Sequence, residues 1–281
     1  MNLLIAGGGG VLGRLLIKEL LSRKHTVTSF AYSAREFEGL QDPNLKTLAC
    51  DITKPEQLKG VCNGVDIVIS CVGITRLSGK LTHMDVDYQG NVNLLREAQL
   101  AGVKKYGFIS PEGVDEGHTF VPLLEAKYHF EEELKRSGMK WVIFRAGGFL
   151  SDLKEMGKAA AKGSMFVFGN GENRFTPVDV GDLAQIMVDD IFVRENAVVT
   201  VGGPQDMSWN EICRTCFTWH GKPPKILHIP IWVGKLALFI IKPFSRKYDA
   251  MGRLILFMCT NDLLTEKRGK KSLAQYLKEN S

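Results

Sequence analysis

The chain has 281 residues, enough for one large α/β domain with a smaller appendage. Hydrophobic residues at 44% and charged residues at 24% exclude a disordered or collagenous chain. No run reaches the roughly 18 to 20 apolar residues that a membrane span needs.

Residues 3 to 16, LLIAGGGGVLGRLL, read as a buried strand, a glycine-rich turn and an amphipathic helix over about 10 to 23. Gly7, Gly10 and Gly13 stand in a GxxGxxG spacing. Such a turn lets the backbone approach a pyrophosphate, which rests on the unpaired N–H groups of the helix N-terminus. Gly7 serves the tight turn, Gly10 clears room for the phosphates, and Gly13 lets helix and strand pack closely. Val11 and Leu12 lie between the last two glycines and are counted with them as cofactor contacts.

Residues 26 to 31 (TVTSFA) and 46 to 50 predict the second and third strands, and 55 to 62 a short helix. VDIVISCVG (65 to 73) predicts a buried parallel strand, followed by a long helix over about 82 to 101. YGFIS (106 to 110), a helix from Pro122 to Ser137 ending at Gly138, and KWVIFR (140 to 145) continue the alternation. The expected fold is α/β, a Rossmann-type doubly wound parallel sheet with a smaller, mostly helical C-terminal cap. Residues 1–203 are expected to form the NAD(P)-binding domain, with a loop insertion at about 150–175. Residues 204–281 form the cap. Within that scheme GSMFVFGNGENRF (163 to 175) reads as a glycine-rich loop or hairpin, 176 to 191 as a turn and helix, and 197 to 203 as a strand.

The first strand starts at Asn2, so no signal peptide is expected within the chain. Six cysteines without framework spacing predict a reducing compartment, taken as the cytoplasm. Cys213 and Cys216 form a CxxC, but Trp209, Ile212, Cys213, Cys216, Phe217 and His220 follow one helix face. No second pair completes a zinc set, so both thiols are read as core and no metal is expected. From Lys222 to Lys271, eleven basic residues face three acids, leaving the rest of the chain at net −3. Long apolar runs interleave that basic excess, which predicts peripheral contact with an anionic membrane or a protein partner at about 229–258 rather than nucleic acid.

Read together, these segments resemble the atypical or extended short-chain dehydrogenase/reductase family, in its NmrA-like branch. Quinone-reductase-like members and a dinucleotide-binding accessory subunit of respiratory complex I are similar. The glycine loop, CDITKPEQL (50 to 58), CVG (71 to 73), VDYQGNVNLLREAQLAGVKKYGFIS (86 to 110), SGMKWVIFRAGGF (137 to 149) and TPVDVGDLA (176 to 184) carry the resemblance. It implies that Asp51 and Ile52 border the adenine, and that Cys71, Val72 and Gly73 lie beside the ribose and nicotinamide. Ala146 replaces the usual proline, and Asp87 stands where many relatives have asparagine.

Active family members carry Tyr-x-x-x-Lys on the helix after the fifth strand. Here Lys127 matches the lysine, but Leu123 stands at the tyrosine position and cannot transfer a proton. None of the six tyrosines has a lysine four residues on. The resemblance assigns Lys127 to the ribose and to electrostatic work, and Ser110 to polarising the substrate. Lys127 four residues before Glu131 also fits a plain surface pair.

At the end of the second strand stand Tyr32, Ser33 and Arg35, with no acid at the tip and Glu36 beyond it. That arrangement favours NADP slightly over NAD. Two functions follow as expectations. One is an NAD(P)H-dependent reductase of a small hydrophobic acceptor such as a quinone, which can take its proton from solvent. The other is a non-catalytic NAD(P)-binding sensor, assembly factor or accessory subunit.

Overall fold

The computed structural model describes residues 1–74, 77 and 79–280. In chain order come β1 (Asn2–Ala6), α1 (Val11–Ser22), β2 (Thr26–Ala31), a 3-10 turn (Ala34–Phe37) and β3 (Leu45–Ala49). Next are α2 (Pro55–Leu58), β4 (Ile67–Ser70), a π-helical stretch (Met84–Gly90) running into α3 (Asn91–Leu100), and β5 (Lys105–Pro111). After α4 (Val114–Gly117) follow α5 (Pro122–Arg136), β6 (Lys140–Ala146), α6 (Leu150–Ala161), β7 (Met165–Phe168), β8 (Arg174–Phe175), α7 (Val180–Val193) and β9 (Ala197–Val201). The chain ends with β10 (Met207–Ser208), α8 (Trp209–Trp219), β11 (Ile226–Ile229), α9 (Ile231–Ile241), α10 (Arg246–Thr260) and α11 (Leu273–Glu279).

Seven strands form one sheet in the order β3-β2-β1-β4-β5-β6-β9. The pairings from β3 to β5 are parallel, with Leu4 of β1 opposite Thr28 on one side and Val68 on the other. The order reverses between β1 and β4, which is the switch point where a doubly wound sheet opens a crevice at its carboxyl edge. The expected Rossmann-type fold is what the chain adopts.

Apolar runs on these strands are explained by burial from both faces. Leu4 and Ala6 of β1, Val68 of β4, and Tyr106 and Phe108 of β5 form a core with Leu94 and Leu95 of α3 and Phe130 and Leu134 of α5. Phe108 and Phe130 meet edge to face with centroids 4.5 Å apart. Gly107 points the other way, where an added Cβ would lie 2.8 Å from Ile191 of α7. Gly138 closes α5 with φ +76°, as its place after the helix predicts.

The chain divides into two compact units, the first comprising residues 1–110, 122–145 and 184–199. The second comprises 111–121, 146–183 and 200–281. Within it, residues 150–161, read from sequence as part of a loop insertion, form helix α6. Gly157 brings α6 against α8, since a Cβ there would stand 2.7 Å from Cys216 Sγ. The segment 163 to 175 does not fold back on itself as a hairpin. Its strands pair with distant partners instead, β7 in parallel with β11 and β8 antiparallel with β10. Cys213 and Cys216 are buried on α8, which begins at a capping box of Ser208 and Glu211.

Candidate functional site

β1 delivers the chain to the glycine turn, and two N–H groups of that turn, Gly7 and Gly8, donate to Phe30 O at 3.0 and 3.1 Å. Gly7 has φ +80°, a left-handed conformation that glycine adopts without steric cost. A Cβ on Gly13 would lie 2.3 Å from Gly7 O, so close packing of α1 on the turn demands a glycine. Gly10 differs: its Cβ would meet nothing nearer than Gly7 O at 3.5 Å. The fold itself does not require that glycine, so the open space beside it is room for a ligand. Gly10 is also the N-cap of α1, which has no side-chain cap and no acid in its first turn. The N–H groups at Val11, Leu12 and Gly13 thus begin a helix with no acid of its own in the first turn, the arrangement that holds phosphate. Val11 is exposed and Leu12 buried.

At the end of β2, Tyr32 is exposed and Ser33 caps the 3-10 turn. Ser33 Oγ accepts from Arg35 N–H at 3.3 Å, and Ser33 N–H donates to Glu36 Oε1 at 2.9 Å. This capping box folds Glu36 back over the glycine turn, where a Cβ on Gly9 would stand 2.3 Å from Glu36 Oε2. Sequence placed Glu36 past the strand tip; the turn returns its carboxylate to the site. Arg14 of α1 holds the same segment by donating to Glu36 O at 2.6 Å and Glu38 O at 2.7 Å. The Arg35 side chain is exposed.

Asp51 uses one carboxylate oxygen in a local turn, accepting from Thr53 N–H at 2.9 Å and Thr53 Oγ1–H at 2.7 Å. Ile52 is buried, with its side chain filling the space over Gly90 and its carbonyl accepting from Asn93 Nδ2 at 3.2 Å. Beyond β4, Cys71 and Val72 lie against the glycine turn: a Cβ on Gly7 would meet Cys71 C at 3.1 Å and Val72 N at 3.2 Å. Burial pushes the Cys71 thiol up to about 12, although the Lys127 ammonium pulls it down.

Charge collects under Gly73. Asp87 is 0% exposed and Lys127 6% exposed, with Nζ 3.4 Å from Asp87 Oδ1. Lys127 also donates to Val72 O at 3.1 Å and Ile109 O at 3.4 Å, and lies 4.6 Å from the Phe108 ring centroid. Asp87 Oδ2 accepts from Ile74 N–H at 3.2 Å and faces His83 Nδ1 at 3.4 Å. A Cβ on Gly73 would collide with this group, 2.4 Å from Asp87 Oδ1 and 2.9 Å from Lys127 Nζ. The π-helical stretch carries Asp87, and Asn91 Nδ2 donates to Asp87 O at 2.9 Å while its Oδ1 accepts from Ser70 Oγ at 2.5 Å.

Lys127 is therefore no surface partner of Glu131. Glu131 is fully buried and takes a forked pair with Arg145, at 3.2 and 2.7 Å. Ser110 is buried at the end of β5, and its hydroxyl has no hydrogen-bond partner among the described residues. This orphaned buried hydroxyl lies next to Ile109, whose carbonyl holds Lys127, and among the described residues it is a donor without an acceptor. Leu123 is buried on α5, so no proton donor replaces the missing tyrosine at that position. Among the described residues, no group of three His, Cys, Asp or Glu side chains could hold a metal ion.

A family model described as NAD(P)H-binding matches residues 7–191, more than half of the chain. The chain belongs to this NAD(P)H-binding family. Within it the chain falls in the NmrA-like, atypical short-chain dehydrogenase/reductase group, and the glycine turn fits the dinucleotide that the family binds. The photosystem II assembly factor Ycf39 of Synechocystis is 28% identical over 259 residues, covering 90% of this chain and 78% of that protein. A chloroplastic divinyl chlorophyllide a 8-vinyl-reductase of Cucumis sativus is 29% identical over 286 residues, covering 89% of this chain and 65% of that protein. An NADPH-dependent quinone oxidoreductase, QOR2 of Escherichia coli, solved with NADPH, shares the fold with TM-score 0.82 at 16% identity over 99% of both chains.

Sequence reasoning passed over His83 and underused Asp87. Both were readable: His83, Asp87 and Asn91 are spaced four apart, which puts three polar side chains on one face of a helix. Glu36 had a signal too, since Ser33-Ala-Arg-Glu36 is a capping-box pattern.

Proposed function

We propose that this chain is an NAD(P)H-dependent reductase of a small hydrophobic acceptor, such as a quinone, that works without a catalytic tyrosine. The observation that carries the reading is the Lys127 ammonium, held at depth by Asp87 and two backbone carbonyls. The Gly7–Gly13 turn and the α1 N-terminus would hold the pyrophosphate. Asp51 and Ile52 would border the adenine, and Cys71, Val72 and Gly73 the ribose and nicotinamide. When bound, the reduced dinucleotide supplies a hydride. Lys127 would give up one of its longer contacts, to Asp87 Oδ1 or to Ile109 O at 3.4 Å, to hold a ribose hydroxyl, and would place positive charge where an acceptor oxygen gains negative charge. Ser110 Oγ–H donates to that oxygen. The proton that completes a hydroquinone comes from solvent.

Two features near β2 oppose each other on cofactor choice. The exposed Arg35 suits a 2′-phosphate, whereas the Glu36 carboxylate beside Gly9 suits free ribose hydroxyls. Glu36→Gln is expected to shift the NADPH-to-NADH affinity ratio upward about tenfold, through relief of like-charge repulsion. Calorimetric titration with both cofactors checks this, and an unchanged ratio removes Glu36 from the selection.

Oxidation of NADPH and NADH against a panel of quinones tests the reductase. Lys127→Ala is expected to lower kcat by about a hundredfold or more. Equal rates in wild type and variant would take Lys127 out of the mechanism. A second reading rests on Leu123 and on the exposed apolar surface at about 229–258: a dinucleotide-binding accessory or assembly protein that contacts a membrane or protein partner. Tight NAD(P)H binding with no turnover of any acceptor would decide for it.

A further inference from the structure

α9 contradicts its own composition. Its sequence, IWVGKLALFII, is apolar at every position but Lys235, and so apolar a helix is ordinarily buried. Only one side is covered: Gly234 packs on Phe168 and Leu256, and Leu238 on Gly252, all within the second unit. On the open side Trp232 is 66% and Phe239 78% exposed, with Leu236 between them and Ile240 one turn after Leu236, and Phe244 beyond the helix end is 85% exposed. Such a stripe exceeds the isolated apolar side chains of an ordinary surface.

Charge says what covers it. Lys235 and Lys242 are two turns apart and line one edge of the stripe, and Arg246 and Lys247 follow at the start of α10. All four are exposed, and among the described residues none of them is in an ion pair. The one acid in the sequence from Lys222 to Asn261, Asp249, is bound by Arg253 at 3.0 Å. No described helix is long and apolar enough to cross a membrane, and the eleven residues of α9 reach only about 16 Å, about half of a hydrocarbon core. An apolar face flanked by cations, with tryptophan and phenylalanine foremost, is the make-up of a helix lying in a headgroup layer.

We infer that the face formed by α9 and the start of α10 docks on the surface of an anionic lipid bilayer. Trp232, Leu236, Phe239, Ile240 and Phe244 enter the acyl boundary, and Lys235, Lys242, Arg246 and Lys247 meet the lipid phosphates. The inference is independent of whether the protein turns over an acceptor.

Flotation with phosphatidylcholine vesicles, with and without 30 mol% phosphatidylglycerol as a test composition (about a third anionic, enough for a negative surface potential), tests it. The protein is expected to float with the anionic vesicles, to stay down with the neutral ones, and to be released by salt. Binding to the anionic vesicles is expected to shift tryptophan emission to the blue. The Lys242→Ala/Arg246→Ala/Lys247→Ala variant should bind roughly a hundredfold more weakly, at about fivefold per cation. Phe239→Ser/Phe244→Ser should abolish flotation while NAD(P)H affinity stays unchanged, which shows that the variant is folded. Flotation that is absent, or equal on neutral vesicles, overturns the proposal. So does a wild-type dimer in solution that Phe239→Ser/Phe244→Ser converts to monomer, because a second copy of the chain would then be what covers the stripe.

Discussion

The site under Gly73 and the open side of α9 invert the same rule in opposite directions. One buries a carboxylate and an ammonium where apolar groups belong, and the other leaves tryptophan and phenylalanine in solvent. Neither helps the chain fold. A buried ion pair repays little of its desolvation, and an exposed apolar stripe contributes no burial. What each arrangement does supply is readiness to meet something else, a dinucleotide in the first unit and a surface in the second.

The largest expected effect breaks the first half of that contrast. Asp87→Leu strands the Lys127 ammonium in a buried site and is expected to cost about 3–5 kcal/mol in urea unfolding. Adding Lys127→Met should recover most of the loss, because the unpaired charge goes with it. If the double variant is as unstable as the single one, the pair is not what makes Asp87 matter. On the other side of the contrast, Phe239→Ser is expected to change stability by no more than about 0.5 kcal/mol, as for an exposed position. A larger cost would mean that the stripe is covered within the protein.

Gly73→Ala sharpens the geometry of the same site. Its methyl would fall 2.4 Å from Asp87 Oδ1 and 2.9 Å from Lys127 Nζ, and the expected cost is about 1–3 kcal/mol with weaker dinucleotide binding. Gly10→Ala separates fold from ligand. Gly10 has φ −70° and ψ 163°, which any residue adopts, and its Cβ meets no protein atom within 3.4 Å. Unfolding should be nearly unchanged while NAD(P)H affinity falls by about tenfold or more, since the methyl would stand where the proposed site takes the pyrophosphate. Unchanged affinity would mean that the phosphates do not pass over Gly10.

Much of this was legible from residues alone, for physical reasons that also explain the gaps. Strands β1, β4, β5 and β6 were readable because central parallel strands are apolar on both faces. The turn at Gly7, Gly10 and Gly13 was readable because its spacing is dictated by local backbone sterics. Less accessible was the stretch from Met84 to Gly90, which has the apolar positions of an ordinary helix yet winds as π-helix. Non-local pairing was hidden as well: β7 joins β11 across some sixty residues, so its segment looked like a hairpin in isolation. Lys127 was found by its place in a motif, but its partner Asp87 lies forty residues away and only the folded chain brings the two together.

The smallest expected signal concerns the thiols, and it sets a limit on the contrast in the second unit. Cys213, Cys216 and Cys259 are buried although α9 stands open, and burial pushes Cys213 up to about 12 and Cys216 and Cys259 to about 11. In the first unit burial likewise lifts Cys50 to about 11 and Cys62 to about 12. The thiolate is the reactive form, and its fraction falls about tenfold for each unit by which the pKa exceeds the pH. Raised values therefore keep every one of these thiols neutral at pH 8, and raising the pH to 9 leaves them so. Native protein mixed with a disulfide reagent at pH 8 should release almost no colour, and the same sample in urea should titrate all six cysteines. A thiol on α8 that reacts quickly in the native protein would show that the second unit opens around Cys213 and Cys216. The exposed stripe on α9 would then be one edge of a loosely packed unit, and a docking face would no longer be needed to explain it.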